Sequence, residues 1–170
     1  LGIANTDLPI IHLLVVDFDD TLYDWIGHFV PALDAMMSAA AQILQVSVPT
    51  IQDELRAVHQ YYGNTEQPFA LLETASARAL IGHLTRAEQR EAMAPAFAAF
   101  DQVRAARLTP FDDVFPTLGA LRDTGITIIG YSAATTVNIA KRIRLLGLAP
   151  LFDVIYASPH SGLPYPGTLR

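Results

Sequence analysis

The sequence contains no cysteine, which excludes disulfides, thiolate metal sites and thiol nucleophiles. Lysine is nearly missing too: Lys141 stands alone, and Trp25 is the single tryptophan. With a formal net charge of −6 over 170 residues, the chain has no basic surplus with which to hold nucleic acid or an anionic membrane, so neither is expected as a partner. No apolar run approaches the ~20 residues of a membrane span. The apolar run at residues 10–16 does not read as a signal peptide, because no basic segment precedes it and Asp17 and Asp19 interrupt it. A soluble, cytoplasmic protein is expected. Hydrophobic residues make up 51% of the chain, enough for one packed domain, or for a core carrying a smaller insertion.

What is present is concentrated in six residues: Asp17, Phe18, Asp19, Asp20, Thr21 and Leu22. The run before them is rich in Ile, Leu and Val and too short for a buried helix, so it predicts a strand over residues 10–16 buried on both faces. Such a strand running into three carboxylates must emerge at a surface or a polar site, because unpaired buried charge is costly. Side chains alternate along a strand, so Asp17 and Asp19 point the same way. Two such carboxylates can hold a hard cation and share nucleophilic and acid/base work. A calcium loop counted from Asp17 would need Gly and Glu where Leu22 and His28 stand, which rules that reading out. A turn built on Asp and Thr caps is the plain alternative.

From residue 24 to 108 the apolar spacing turns helical, with Phe29, Leu33, Met36, Met37, Ala40, Ile43 and Leu44 on one face. Thr50 with Asp53, and Thr85 with Glu88, read as capping boxes; Pro68 opens a further segment, and Pro95 is expected to kink or split the last helix. About four helices without a strand follow. Residues 109–113 lead back to a helix capped by Asp112 or Asp113, with Pro116 in its first turn and Gly125 at its end. A strand over 126–131, a helix from Thr135 or Thr136 to Leu146 closed by Gly147, and a strand over 154–157 complete the pattern. Alternating strands and helices predict a doubly wound, Rossmann-like parallel sheet, with ligands at the carboxyl ends of its strands. Asp17, Asp19 and Ser132 all fall at such ends. His12 reads as a buried strand residue, and Trp25, Tyr61 and Tyr62 as helical core with some prospect of lining a pocket. His28, His59, His83 and His160 have no metal-binding spacing.

The segment from Asp17 to Leu22, preceded by its strand, resembles the first motif of the haloacid dehalogenase-like (HAD) hydrolase superfamily. Ser132 after an apolar strand resembles the second, and residues 145–158 resemble the segment that follows it. The resemblance implies an α/β core over residues 1–23 and 109–170 with a helical cap over 24–108. It further implies a Mg²⁺-dependent phosphatase of a small phosphorylated metabolite, working through an aspartyl phosphate. Asp17 would be the nucleophile and Asp19 the general acid and then base; both would serve the metal, Asp19 through its backbone carbonyl. Ser132 would hydrogen-bond the phosphoryl group, with Ala133 beside it; an ordinary helix cap is the structural alternative for Ser132. Asp19 favours a phosphatase over a dehalogenase, since a halide leaves without a proton.

The family's third-motif lysine and fourth-motif acidic pair find no match. Lys141 lies some five residues into the helix after Ser132, well below the site at 1.5 Å per residue, and Arg170 is the one late cation. A truncated or inactive homologue acting as a binding module is therefore the rival expectation. If the first strand is central in the full fold, its far edge lacks partners in this sequence. Either tens of residues beyond Arg170 or a second copy of the chain, as a homodimer, would cover it.

Overall fold

The computed structural model describes residues 11–66 and 68–159. Its sheet has three parallel strands, β1 (Leu13–Asp17), β2 (Thr127–Thr135) and β3 (Val154–Ser158), in the order β1-β2-β3. Val16 pairs with Gly130 and Asp17 with Tyr131; Ser132 pairs with Ala157. The expected α/β parallel sheet is therefore present, with two differences at its first strand. That strand begins at Leu13 and includes Asp17, Ile10 lying outside the described residues. Nor is it buried on both faces. Val16 is buried, whereas Val15 is 59% exposed, because β1 is an edge strand among the described residues and only one sheet face carries helices. His12 precedes the strand and is exposed rather than core; only its backbone carbonyl engages, accepting from Thr127 N at 3.0 Å.

Helices α1 (Trp25–Leu44), α2 (Val48–Tyr62), α3 (Ala75–Ile81), α4 (Arg86–Ala92) and α5 (Ala94–Arg107), with a 3₁₀ turn at Pro68–Glu73, form the strand-free stretch after β1. Asp24 starts α1 by accepting from Gly27 N at 2.6 Å. The cap of α2 is Ser47 instead of Thr50: Ser47 Oγ accepts from Thr50 N at 3.2 Å, and Pro49 takes the first turn, where its missing donor costs nothing. Thr85 and Glu88 do make the reciprocal capping box. Pro95 splits the last helix as expected, with Met93 as the non-helical joint between α4 and α5. Phe29, Met36, Met37, Leu55, Leu71 and Phe100 are among the buried side chains of this helical core. No single helix among the described residues is long and apolar enough to cross a membrane.

A second core joins Val16, Phe18 and Ile128 of the sheet region to Leu118 of α6 (Val114–Asp123) and Ile139 and Ile143 of α7 (Thr136–Leu146). Asp113 stands at the start of α6 without a side-chain cap bond, and Gly125, at φ +83°, follows the helix rather than ending it. Gly147 closes α7 in the left-handed conformation, as the sequence predicts. Trp25 packs against both cores. It bridges the helices and the sheet.

Candidate active site

Burial alternates through the first motif. Val16 and Phe18 are buried, Asp17 is exposed and Asp19 is half-buried, as period-2 geometry requires. Beyond Asp19 the chain turns sharply. Asp20 takes φ +55°, a conformation that Asp tolerates better than most residues, and its carboxylate accepts from Trp25 N at 2.8 Å. The turn carries the chain off the sheet into α1 and leaves both carboxylates at the carboxyl end of β1.

Ser132 lies on the neighbouring strand, one residue after the register partner of Asp17. It is inside β2 rather than beyond its end, because the strand continues irregularly to Thr135. Thr135 takes the N-cap position of α7, so Ser132 is not the helix cap. Its buried Oγ accepts from Ala134 N at 3.1 Å, leaving its own proton to donate. Ala133 and Ala134 share with Asp19 the wall of a cavity of about 730 Å³, whose far side is formed by α1 and α2. Asp17, Asp19, Ser132 and Ala133 all fall toward the carboxyl ends of their strands, but only Asp19 and Ala133 line this cavity; Ser132 lines a separate cleft with Ala133, and Asp17 lines neither. The cavity also presents Trp25, Gln52, Arg56, His59, Gln60 and Asn64. Trp25 is a pocket residue, whereas Tyr61 is mostly exposed.

The residues that sequence reasoning missed surround Asp19. Tyr23 Oη donates to Asp19 Oδ1 at 2.5 Å, and Arg142 Nη1 donates to Asp19 Oδ1 and Oδ2 at 2.9 and 3.3 Å. Arg142 Nη2 donates to Glu66, which also accepts from Trp25 Nε1 at 2.6 Å and Asn138 Nδ2 at 3.0 Å. Burial raises the pKa of Asp19 above the usual carboxylate value, helped by the Glu66 and Asp17 charges and opposed by Tyr23 and Arg142. Burial works against the Arg142 charge, yet Glu66, Tyr23 and Asp19 together hold its pKa above the ordinary value. Burial likewise raises the Tyr23 phenol, and its bond to Asp19 adds to the rise. Only Tyr23, four residues past Asp19, sits near the motif. Glu66 and Asn138 lie in stretches with no motif of their own. Lys141 turns away, reaching Asp101 Oδ1 at 3.3 Å, so it lies off the site as its position on the helix implied.

No three Asp, Glu or His side chains converge as a metal cluster among the described residues. Magnesium needs no such cage, since one or two carboxylates and substrate oxygens suffice. The exposed Asp17 carboxylate, which takes no hydrogen bond among the described residues, fits that demand.

A model of haloacid dehalogenase-like hydrolases matches residues 11–167. The chain belongs to this family. Among solved structures it is similar to a haloacid dehalogenase-like family hydrolase from Xanthomonas campestris, at 16% identity and a TM-score of 0.57, covering 87% of this chain and 61% of that one. It is also similar to YfnB from Bacillus subtilis, solved bound to magnesium, at 16% identity and a TM-score of 0.48, covering 87% and 65%. The likeness is one of fold, and the chain spans under two thirds of either structure's length. No curated protein matches the chain.

Proposed function

We propose that this family member is a phosphatase of a small, polar phosphorylated metabolite, acting through an aspartyl phosphate on Asp17. The observation that carries the reading is the pairing of an open carboxylate, Asp17, with a half-buried one of raised pKa, Asp19, at one strand end beside Ser132. An open carboxylate beside one whose burial favours its protonated form divides nucleophile from acid. Asp17 Oδ attacks phosphorus and the bond from phosphorus to the ester oxygen breaks. Asp19 gives its proton to the departing oxygen, then takes one from the water that attacks the acyl phosphate and frees inorganic phosphate. Ser132 Oγ donates to a phosphoryl oxygen. Magnesium, held by the Asp17 carboxylate and the Asp19 backbone carbonyl, would screen the repulsion between nucleophile and phosphate.

The cavity supports a polar organic portion, since Gln52, His59, Gln60 and Asn64 offer hydrogen bonds while Leu33, Met37 and Leu55 supply apolar contact. The helical insertion would then act as the cap over the site. Release of inorganic phosphate from a panel of sugar, polyol and carboxylic-acid phosphates, with magnesium and with chelator, tests the reading. Phosphate release that needs the metal supports it. No release from any member of the panel rejects it. One observation favours a second reading, a homologue that binds such ligands without turnover: no cation contacts Asp17 among the described residues. In that case the ligand raises the melting temperature while no phosphate appears.

A further inference from the structure

Besides the packing of Trp25 and the exposed Lys141–Asp101 pair, a buried ion pair joins the helical insertion to α7. Arg142 is only 4% exposed; it is not part of the wall of the large cavity, although it lines a small neighbouring one, whereas Glu66 borders both. Its two terminal nitrogens point to different halves of the molecule, one to Asp19 and the other to Glu66, in the loop after α2. Glu66 is bound from three sides, by Arg142, by the Trp25 indole and by Asn138 of α7. A buried ion pair is a poor means of gaining stability, since apolar side chains of similar volume serve as well. What it supplies is direction: a planar guanidinium donates to carboxylates only along fixed lines.

We propose that Glu66 and Arg142 are positioning residues that act as one unit. Glu66 seats the loop after α2 on α7, and Arg142, oriented by Glu66, holds the Asp19 carboxylate in the cavity wall. The seat itself stands on geometry alone; its effect on turnover rests on the phosphatase reading.

Trp25 makes the seat observable, because the only tryptophan in the chain donates its indole N–H to Glu66 at 2.6 Å. The variants are Glu66→Gln, Arg142→Met, their double, and Arg142→Lys, each in the 170-residue chain and checked for folding by circular dichroism. Acrylamide quenching of Trp25 is expected to rise about twofold or more in each of the first two, with the double no higher than either single and Arg142→Lys intermediate. Unchanged quenching in Glu66→Gln, or additive effects in the double, overturns the proposal. If Arg142→Met does not fold, Glu66→Gln and Arg142→Lys decide it. In turnover, kcat for an alkyl phosphate is expected to fall ~10- to 100-fold in Glu66→Gln, with little change for nitrophenyl phosphate or in KM. Equal loss on both substrates overturns the positioning of Asp19. If the unaltered chain releases no phosphate, the phosphatase reading fails, and quenching still decides the seat.

Discussion

At the residue scale, Asp17 and Asp19 differ by one criterion, access. The open carboxylate suits attack, and the half-buried one suits holding a proton. Asp17→Asn is expected to abolish phosphate release while leaving the far-ultraviolet spectrum unchanged, because an amide cannot form the acyl phosphate. Substantial remaining turnover would remove Asp17 from the nucleophile role. Asp19→Asn should slow alkyl phosphates ~10²- to 10⁴-fold and nitrophenyl phosphate far less, since only the poor leaving group needs the proton. His28 makes a different prediction. Its ring is fully buried beside Tyr23, and neither nitrogen has a hydrogen-bond partner among the described residues. Burial, reinforced by the Arg142 and Arg104 charges, pushes its pKa from 6.5 down to about 4. Between those values the unfolded chain binds the proton and the folded chain does not. Stability therefore falls as pH drops through the window and is retained above it. Urea midpoints at pH 7 and pH 4.5 should diverge in the wild type and diverge less in His28→Leu, where His59, whose pKa burial also lowers, remains.

At the element scale, the closest fit in the sheet is between β2 and the first motif. A Cβ on Gly130 would stand 2.4 Å from the Phe18 ring and 3.2 Å from Phe152, themselves stacked at a tilt. Phe18 lies between the two carboxylates, so overpacking here disturbs the site as well as the core. Gly130→Ala is expected to cost about 1–3 kcal/mol in chemical denaturation and to lower kcat in parallel. A stability equal to wild type would mean that Phe18 has room to move. The capping boxes show where local pattern suffices and where it fails. Thr85 and Glu88 are legible because both partners lie within one turn. Thr50 and Asp53 form the same pattern three residues late, since Ser47 caps first and Pro49 opens the helix. Asp53 pairs with Arg56 instead.

At the scale of the molecule, the two cores are joined by Trp25 and by the Arg142 pair, while among the described residues nothing covers the sheet face away from α6 and α7. Leu13, Val15, Tyr131, Val154 and Tyr156 lie on that face, Tyr156 at 57% exposure. Together with the edge of β1 they form a contiguous apolar surface of the kind that associates in water. Sedimentation of the 170-residue chain is expected to show self-association rising with concentration, weakened by Val15→Lys. A monomer at every concentration would show that this surface is covered in solution.

The family, the parallel sheet, the helical stretch and the placement of Asp17 and Asp19 at the carboxyl end of the first strand were legible in the chain itself. Each rests on short-range pattern: an apolar run before carboxylates, a 3.6-residue period, a glycine after a helix. These signals act within a turn or a strand, where spacing along the chain equals spacing in space. The surroundings of Asp19 had no such signal. Arg142 and Asp19 are 123 residues apart and Arg142 and Glu66 are 76 apart; packing of α7 beside the first motif brings the first pair together, and packing of the insertion onto α7 the second. Position along α7 set Lys141 aside as too deep. Arg142, one residue further, still reaches the site, because helical side chains lean toward the N-terminus and its helix face turns inward. Residue type and local spacing determined which groups could do chemistry; the tertiary contact decided which charge holds the Asp19 carboxylate.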